Sequence, residues 1–196
     1  LNQPPSLEWL ELENIRACED LSFTQHLISL KGLSIAGDGN SIKYLKAKTL
    51  EPLTSLQELY WLSLGTFMVE QDGLLPLAKL RKLKYLFISN KYKFEDVAAL
   101  AGARPDLECD LFEPVSGVYD FFACKKCGEH TMILPIGKGK PWMCQVCDAK
   151  KIEKHILCIF SVVTIPKVDA CKILARLDLG RRFYAPITSS RENQHF

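Results

Sequence analysis

Four of the eight cysteines fall in two CxxC pairs, Cys124 with Cys127 and Cys144 with Cys147, and sixteen residues separate the pairs. Cysteine ligates metal as the thiolate, and two intervening residues let one tight turn aim both sulfurs at a single point. Two such turns complete a tetrahedron, and sixteen lies in the range of intervals that brings two knuckles around one ion. Four thiolates leave no open coordination position, so the chemistry is that of a structural zinc site rather than a catalytic one. Iron in the same four-sulfur geometry is the metal alternative. A redox dithiol needs a βαβ context that the flanking sequence lacks, and four ordinary buried cysteines would have no reason to keep this spacing.

The knuckles must be held by short elements. Gly128 relaxes the turn after the first pair, Thr131–Ile136 is strand-like, Gly137–Gly139 makes a turn, and Pro141-Trp142-Met143 leads back to the second pair. The expectation is a β-hairpin with one knuckle at each end, a unit that resembles a zinc ribbon. Binding of zinc to such sites contributes roughly 10–16 kcal/mol, comparable to the whole stability of a domain, so a unit this small depends on its metal. Asp148 is placed to cap a helix running from Ala149 through Ile156, Leu157, Ile159 and Phe160 until Pro166 stops it. Asp169–Leu177 has the pattern of a second helix, Gly180 ends it, and the tail from Thr188 is polar. Cys18, Cys109, Cys158 and Cys171 are scattered where a small apolar residue would serve, and are expected to fill core. Paired CxxC motifs beside scattered thiols suit a reducing, intracellular setting, here taken as cytoplasmic, better than a secreted disulfide framework.

Composition is that of a globular chain of 196 residues, with 47% hydrophobic and 24% charged residues. No run of about 18 apolar residues is present to span a membrane. The opening residues carry no secretory signal pattern, and Leu1 in place of Met is what a fragment or processed product would show. The net charge of +2 hides an asymmetry: residues 1–114 carry 12 Lys/Arg against 16 Asp/Glu, and residues 115–196 carry 13 against 7. Neither part is charged enough to force a nucleic-acid reading.

The chain ahead of the cysteines is organised by leucine. In Leu77–Asn90, leucines fall three apart at Leu77, Leu80, Leu83 and Leu86, then the spacing tightens to two at Ile88. A helix would hold a spacing of three or four and a strand would hold two, so the switch marks a turn or coil running into a short strand. The same switch recurs at Leu7/Leu10/Leu12, Leu30/Leu33/Ile35 and Leu59/Leu62/Leu64, and in degenerate form at Asp106/Cys109/Leu111. The central positions 10, 33, 62, 86 and 109 are separated by 23, 29, 24 and 23 residues, the long interval falling at the turn-rich Gly37–Asn40. Amphipathic helices joined by loops would also place leucine at every third or fourth position, but not with a recurring switch at a near-constant period.

Over residues 6–112 this pattern resembles the leucine-rich repeat LxxLxLxxN, in which each repeat supplies one strand of a parallel sheet. Asparagine after the strand occurs only as Asn14 and Asn90, so the resemblance implies a short, irregular arc without a regular asparagine ladder. Terminal repeats need a cap, and Glu113–Gly117 is a turn-rich link to the next unit, which begins at Tyr119. The predicted architecture is an α/β repeat. A short leucine-rich solenoid with a parallel sheet spans residues 1–114, a zinc ribbon-like cap 115–155, a helical segment 156–186 and a flexible tail 187–196.

Side chains alternate along a strand, so residues between the strand leucines point to the open sheet face. They form columns: Trp9, Gly32, Trp61, Tyr85 and Glu108; Glu11, Ser34, Ser63, Phe87 and Asp110; Glu13, Ala36, Gly65, Ser89 and Phe112. Five aromatics thus share a face that should otherwise be polar. Trp9, Trp61, Tyr85, Phe87 and Phe112, with Glu11 and Asp110 at the rim, are the expected contacts to a protein partner, as the resemblance also implies. Two alternatives are that the rings stack across strands and only stiffen the sheet, or that a further segment of chain covers them. A competing function comes from Lys125, Lys126, Lys138, Lys140, Lys150, Lys151 and Lys154 around the knuckles with Trp142 as a stacking platform, an arrangement suited to nucleic acid. His26, His130, His155 and His195 show no catalytic spacing and no phosphate-cradling glycine loop occurs, so an enzyme is not expected.

Overall fold

A computed structural model describes residues 7–15, 17–38, 44–115 and 117–162. The strands in chain order are β1 (Trp9–Ile15), β2 (Gly32–Gly37), β3 (Leu45–Ala47), β4 (Trp61–Gly65), β5 (Phe67–Val69) and β6 (Tyr85–Ile88). Four of them form one parallel sheet in the order β1-β2-β4-β6, giving a repeat-like α/β arrangement. The register aligns Leu10, Leu33, Leu62 and Leu86 in one row and Leu12, Ile35, Leu64 and Ile88 in another. Each leucine therefore packs on its counterpart one repeat away.

The three-residue spacing has a specific cause. Short 3-10 turns at Ser22–His26, Glu51–Ser55 and Leu75–Lys79 precede the strands. A 3-10 helix has three residues per turn, so side chains three apart eclipse in one row. In the middle repeats, Leu53, Leu56 and Leu59 each donate their N–H to the carbonyl three residues back, and Leu77, Leu80 and Leu83 do the same. These leucines are almost entirely buried. Thr24 occupies the equivalent place in the first repeat, its hydroxyl donating to the Leu21 carbonyl at 2.8 Å so that no polar atom is orphaned in the core.

Three features depart from the sequence expectation. A second parallel pair, β3 with β5, forms a separate two-stranded sheet, and β3 lies within the long interval between the second and third repeats. An α-helix, α1 (Phe94–Ala103), replaces the 3-10 turn in the last repeat, with Glu95 and Asp96 in its first turn and Val97, Ala98 and Leu100 buried. The degenerate fifth strand does not form. Glu108 makes one bridge to Tyr85, and then the Phe112 N–H closes onto the Cys109 carbonyl in the 3-10 turn Asp110–Phe112. With acids at both flanking positions and Pro114 lacking an N–H, the segment has little to hold a ladder together.

The four-cysteine unit consists of β7 (Met132–Ile133) paired antiparallel with β8 (Met143–Cys144), followed by α2 (Ala149–Val162). It docks on the last repeat. Ile136 is buried in the same core cluster as the repeat leucines, and its N–H bonds the Pro114 carbonyl at 3.1 Å. The Asn90 side chain donates to the Pro135 carbonyl at 3.1 Å and accepts from the Gly137 N–H at 2.8 Å. Gly137 sits at φ 118° against Phe94, where a side chain would be strained and crowded. The proposed second helix at Asp169–Leu177, the tail and Cys171 lie outside the described residues. Among the described residues no helix is long and apolar enough to cross a membrane.

Arg104 ties the end of α1 to the third 3-10 turn. Its guanidinium donates to the carbonyls of Leu80 and Leu83 and pairs with Asp106 at 2.8 Å, while the side chain itself is largely buried. Arg104→Ala leaves the Leu83 carbonyl without this donor and is expected to lower unfolding free energy by about 2–3 kcal/mol in urea denaturation. Arg104→Lys should recover little of it, since an ammonium lacks the planar fork; full recovery by lysine would mean that only charge matters there.

Candidate metal centre and open sheet face

The four cysteines expected to act together do converge. The sulfurs of Cys124, Cys127, Cys144 and Cys147 all lie within 4.8 Å of one another. The Cys124–Cys147 and Cys127–Cys144 separations are 3.9 and 3.7 Å. Metal–sulfur bonds of about 2.3 Å in a tetrahedron put sulfurs about 3.8 Å apart, so this donor set fits an ion that takes four thiolates.

Both knuckles close in the same way. The Gly128 N–H bonds the Cys124 carbonyl at 2.8 Å, and the Asp148 N–H bonds the Cys144 carbonyl at 2.9 Å. Gly128 holds φ 78°, the left-handed value that favours glycine there. Backbone N–H groups, Lys126 first and Cys127 second, hold the Cys124 thiol down to about 7. Cys147 is pushed up to about 12, first by the hydrogen bond it shares with Cys127 and then by desolvation. Thiols ligate metal only as thiolates, so metal binding at this quartet releases protons. The Thr131 hydroxyl lies 3.6 Å from the Cys144 sulfur and supports it from outside.

Asp148 does more than start a helix. Its carbonyl accepts the Lys151 and Ile152 N–H groups that begin α2. Its carboxylate turns back to accept the Cys144 N–H at 3.2 Å and pairs with Lys126 at 3.5 Å and Lys151 at 3.1 Å. Those contacts, the Cys144 N–H first, hold its pKa below the usual carboxylate range.

On the sheet face opposite the leucine core, Trp9, Trp61, Tyr85, Phe87 and Glu11 share one surface, as the register requires. Trp9 is 59% exposed and Phe87 47%. Trp9 lies 6.1 Å from Trp61 at 44°, and Trp61 lies 5.6 Å from Phe87 at 46°, so the three rings form one row across the sheet. The row crosses β2 at Gly32, where any Cβ would be driven into the Trp9 ring. The third column holds only in the middle, where Ala36 of β2 pairs with Gly65 of β4. Asn14, at φ 56°, sits where the β1 register shifts, and Ser89 follows the end of β6.

Two expected contacts leave this face. Phe112 turns with the 3-10 segment and packs on the repeat core, and Asp110 is exposed on that same turn. Cys109 is partly buried against the core, and burial raises its pKa to about 11, as filler would. Cys158 is exposed on α2 and is not filler. Tyr60, 43% exposed and edge-on to Tyr85 at 5.2 Å, was not anticipated because it precedes the strand. Nor were Tyr119, Phe121 and Phe122, whose rings cluster about Trp142. Their signal was the dense aromatic run directly before Cys124.

No protein-family model matches this chain, and no curated protein does. Among solved structures it is similar to a crystal structure of an internalin C2 from Listeria monocytogenes, at 24% identity and a TM-score of 0.29. That match covers 46% of this chain and 45% of that one, less than half of either. The strand register in this chain, and not so loose a superposition, is what establishes the repeat.

His155 links α2 to the connector, its Nε2 lying 3.1 Å from the Pro114 carbonyl. Burial lowers its pKa, Lys140 lowers it further, and the Pro114 contact opposes them. The unfolded chain therefore binds this proton at a higher pH than the folded one. Stability is retained above the ordinary histidine value of about 6.5 and lost as pH falls through it. Between about pH 7.5 and 5.5, wild type should lose more thermal stability than His155→Gln; parallel losses would exclude His155 as the source.

Proposed function

We propose that this chain is a protein-interaction module whose recognition surface is the open face of its parallel sheet, and that its four cysteines hold a structural zinc ion. The observation that carries the first part is the seat built for Trp9. Glycine marks a close approach, and Gly32, which opens β2 between Trp9 and Trp61 in the register, leaves room for the Trp9 ring to lie across β2 toward Trp61. An aromatic row held in place while its ends stay exposed is the form of a contact surface, and exposed Glu11 and Glu13 give it an acidic border.

The second part rests on the donor set. Four thiolates at tetrahedral spacing suit zinc and leave no position for substrate. The reading is of a binding module and not an enzyme, in a reducing compartment that keeps the thiols available. Of the described histidines, His130 is engaged with the Asp120 carbonyl and His155 with that of Pro114.

Elemental analysis of purified protein is expected to find about one zinc per chain, with Cys144→Ala losing it. Protein free of zinc that melts at the same temperature with and without a chelator contradicts the metal assignment. For the sheet face, Trp9→Ala with Phe87→Ala removes the two exposed ends of the row. Unfolding free energy should fall by only about 1–2 kcal/mol. Proteins captured from native lysate by wild type should be retained at least about 10-fold less by the double variant. Equal retention would mean that the rings only stiffen the sheet.

A further inference from the structure

Against the cysteine quartet, with Cys124 of the first knuckle and Cys144 of the second in its lining, lies an open cleft of about 370 Å³. Phe122, Trp142 and Met132 give it apolar walls, and Lys125, Lys126 and Lys151 line it as well. Trp142 is held edge-on by three rings: Tyr119 at 5.1 Å and 88°, Phe122 at 5.2 Å and 89°, and Phe121 at 5.6 Å and 90°. Edge-to-face contacts of this kind fix the orientation of an indole, and Trp142 nevertheless stays 37% exposed. Phe121 is 65% exposed beside it. A small unit that leaves such rings in water has not used them as core.

The charges have a position too. Asp148, tied to the second knuckle through the Cys144 N–H, draws Lys126 and Lys151 toward the cleft. The closed metal site therefore sets the place of two ammoniums relative to the aromatic wall. Three ammoniums against one carboxylate disfavour a cationic ligand, which an aromatic cage would otherwise suit. An acidic peptide would satisfy the lysines but has no need of a stacking platform. A flat ring carrying negative charge uses both features, and the cleft has room for about one nucleoside.

We propose that this cleft binds single-stranded nucleic acid, with one base stacked on the Trp142 platform and backbone phosphates on Lys125, Lys126 and Lys151. The site is independent of the sheet face. Residues 117–155 carry seven lysines against four acids, and four thiolates on zinc would offset two more of those charges. Binding is therefore weak and sequence-tolerant, with Kd about 10⁻⁶–10⁻⁴ M at physiological salt.

The test is fluorescence anisotropy of the zinc-loaded full chain with a labelled oligouridine of about 12 nucleotides, titrated between about 50 and 200 mM salt. Wild type should bind with affinity falling as salt rises. Trp142→Ala should weaken binding about 5- to 100-fold, the loss of one stacked base. Lys125→Ala with Lys126→Ala should reduce the salt slope by about 1.4, near 0.7 per phosphate contact on a single strand. The lysine pair stands outside the aromatic packing, so its slope decides the matter even where Trp142→Ala fails to retain zinc. Absence of binding at the lowest salt overturns the proposal, as does an unchanged slope in the lysine variant. An oligoglutamate of equal length competing as well as oligouridine also overturns it, by showing that charge alone is read.

Discussion

A repeat buries its leucines only against its neighbours, so the end of the last repeat is where an array of this kind must be covered or come apart. Here the cover is the strand-turn of the four-cysteine unit. Ile136 enters the repeat core, the Asn90 side chain holds the backbone on either side of it, and the Lys138 N–H bonds the Tyr92 carbonyl at 2.8 Å. Ile159 of α2 packs on Ala98 of α1 alongside. At the other end, Leu10, Leu12 and Ile15 of β1 are only partly buried. The end beside α1 is tied to a cluster of thiols. If zinc contributes on the order of 10 kcal/mol to a unit too small to fold alone, much of the order in the last repeat rests on four sulfurs.

The repeat was legible because its geometry is local. Leucine at every third position is the side-chain row of a 3-10 turn, and leucine at every second is one face of a strand. Once four segments show the same switch, register follows, and with it the column of Trp9, Gly32, Trp61 and Tyr85. What could not be read depends on contacts between distant segments. Asn90 looked like the asparagine of a repeat, but its partners are Pro135 and Gly137, some 45 residues away in the chain. The fifth strand failed because one backbone bridge at Glu108 is not a ladder, and the chain then closes into a turn that carries Phe112 off the sheet face.

The candidate sites divide along the same line. The cysteine quartet was complete in sequence, since spacing alone brings two knuckles to one point. The three-ring row was readable from alternation, but the reason Trp9 can join it was not, because that reason is the missing side chain of Gly32 one strand away. The cleft at the knuckle was half seen: the lysines and Trp142 stood out, while the three rings that orient Trp142 converge on it only through the Tyr119–Met132 bridge and the hairpin. Cys158 shows the converse error, for a cysteine among apolar residues on a helix reads as core until the buried face is known to be Ile152, His155, Ile156 and Ile159.

The central claim is that the four-cysteine unit is the cover on which the last repeat depends. Hydrogen exchange of the full chain, with its metal and after chelation, tests this most directly. The account predicts that chelation strips protection from β6, α1 and the β7 hairpin well before β2 and β4. A loss spread evenly over all strands, or no loss at all, would contradict it.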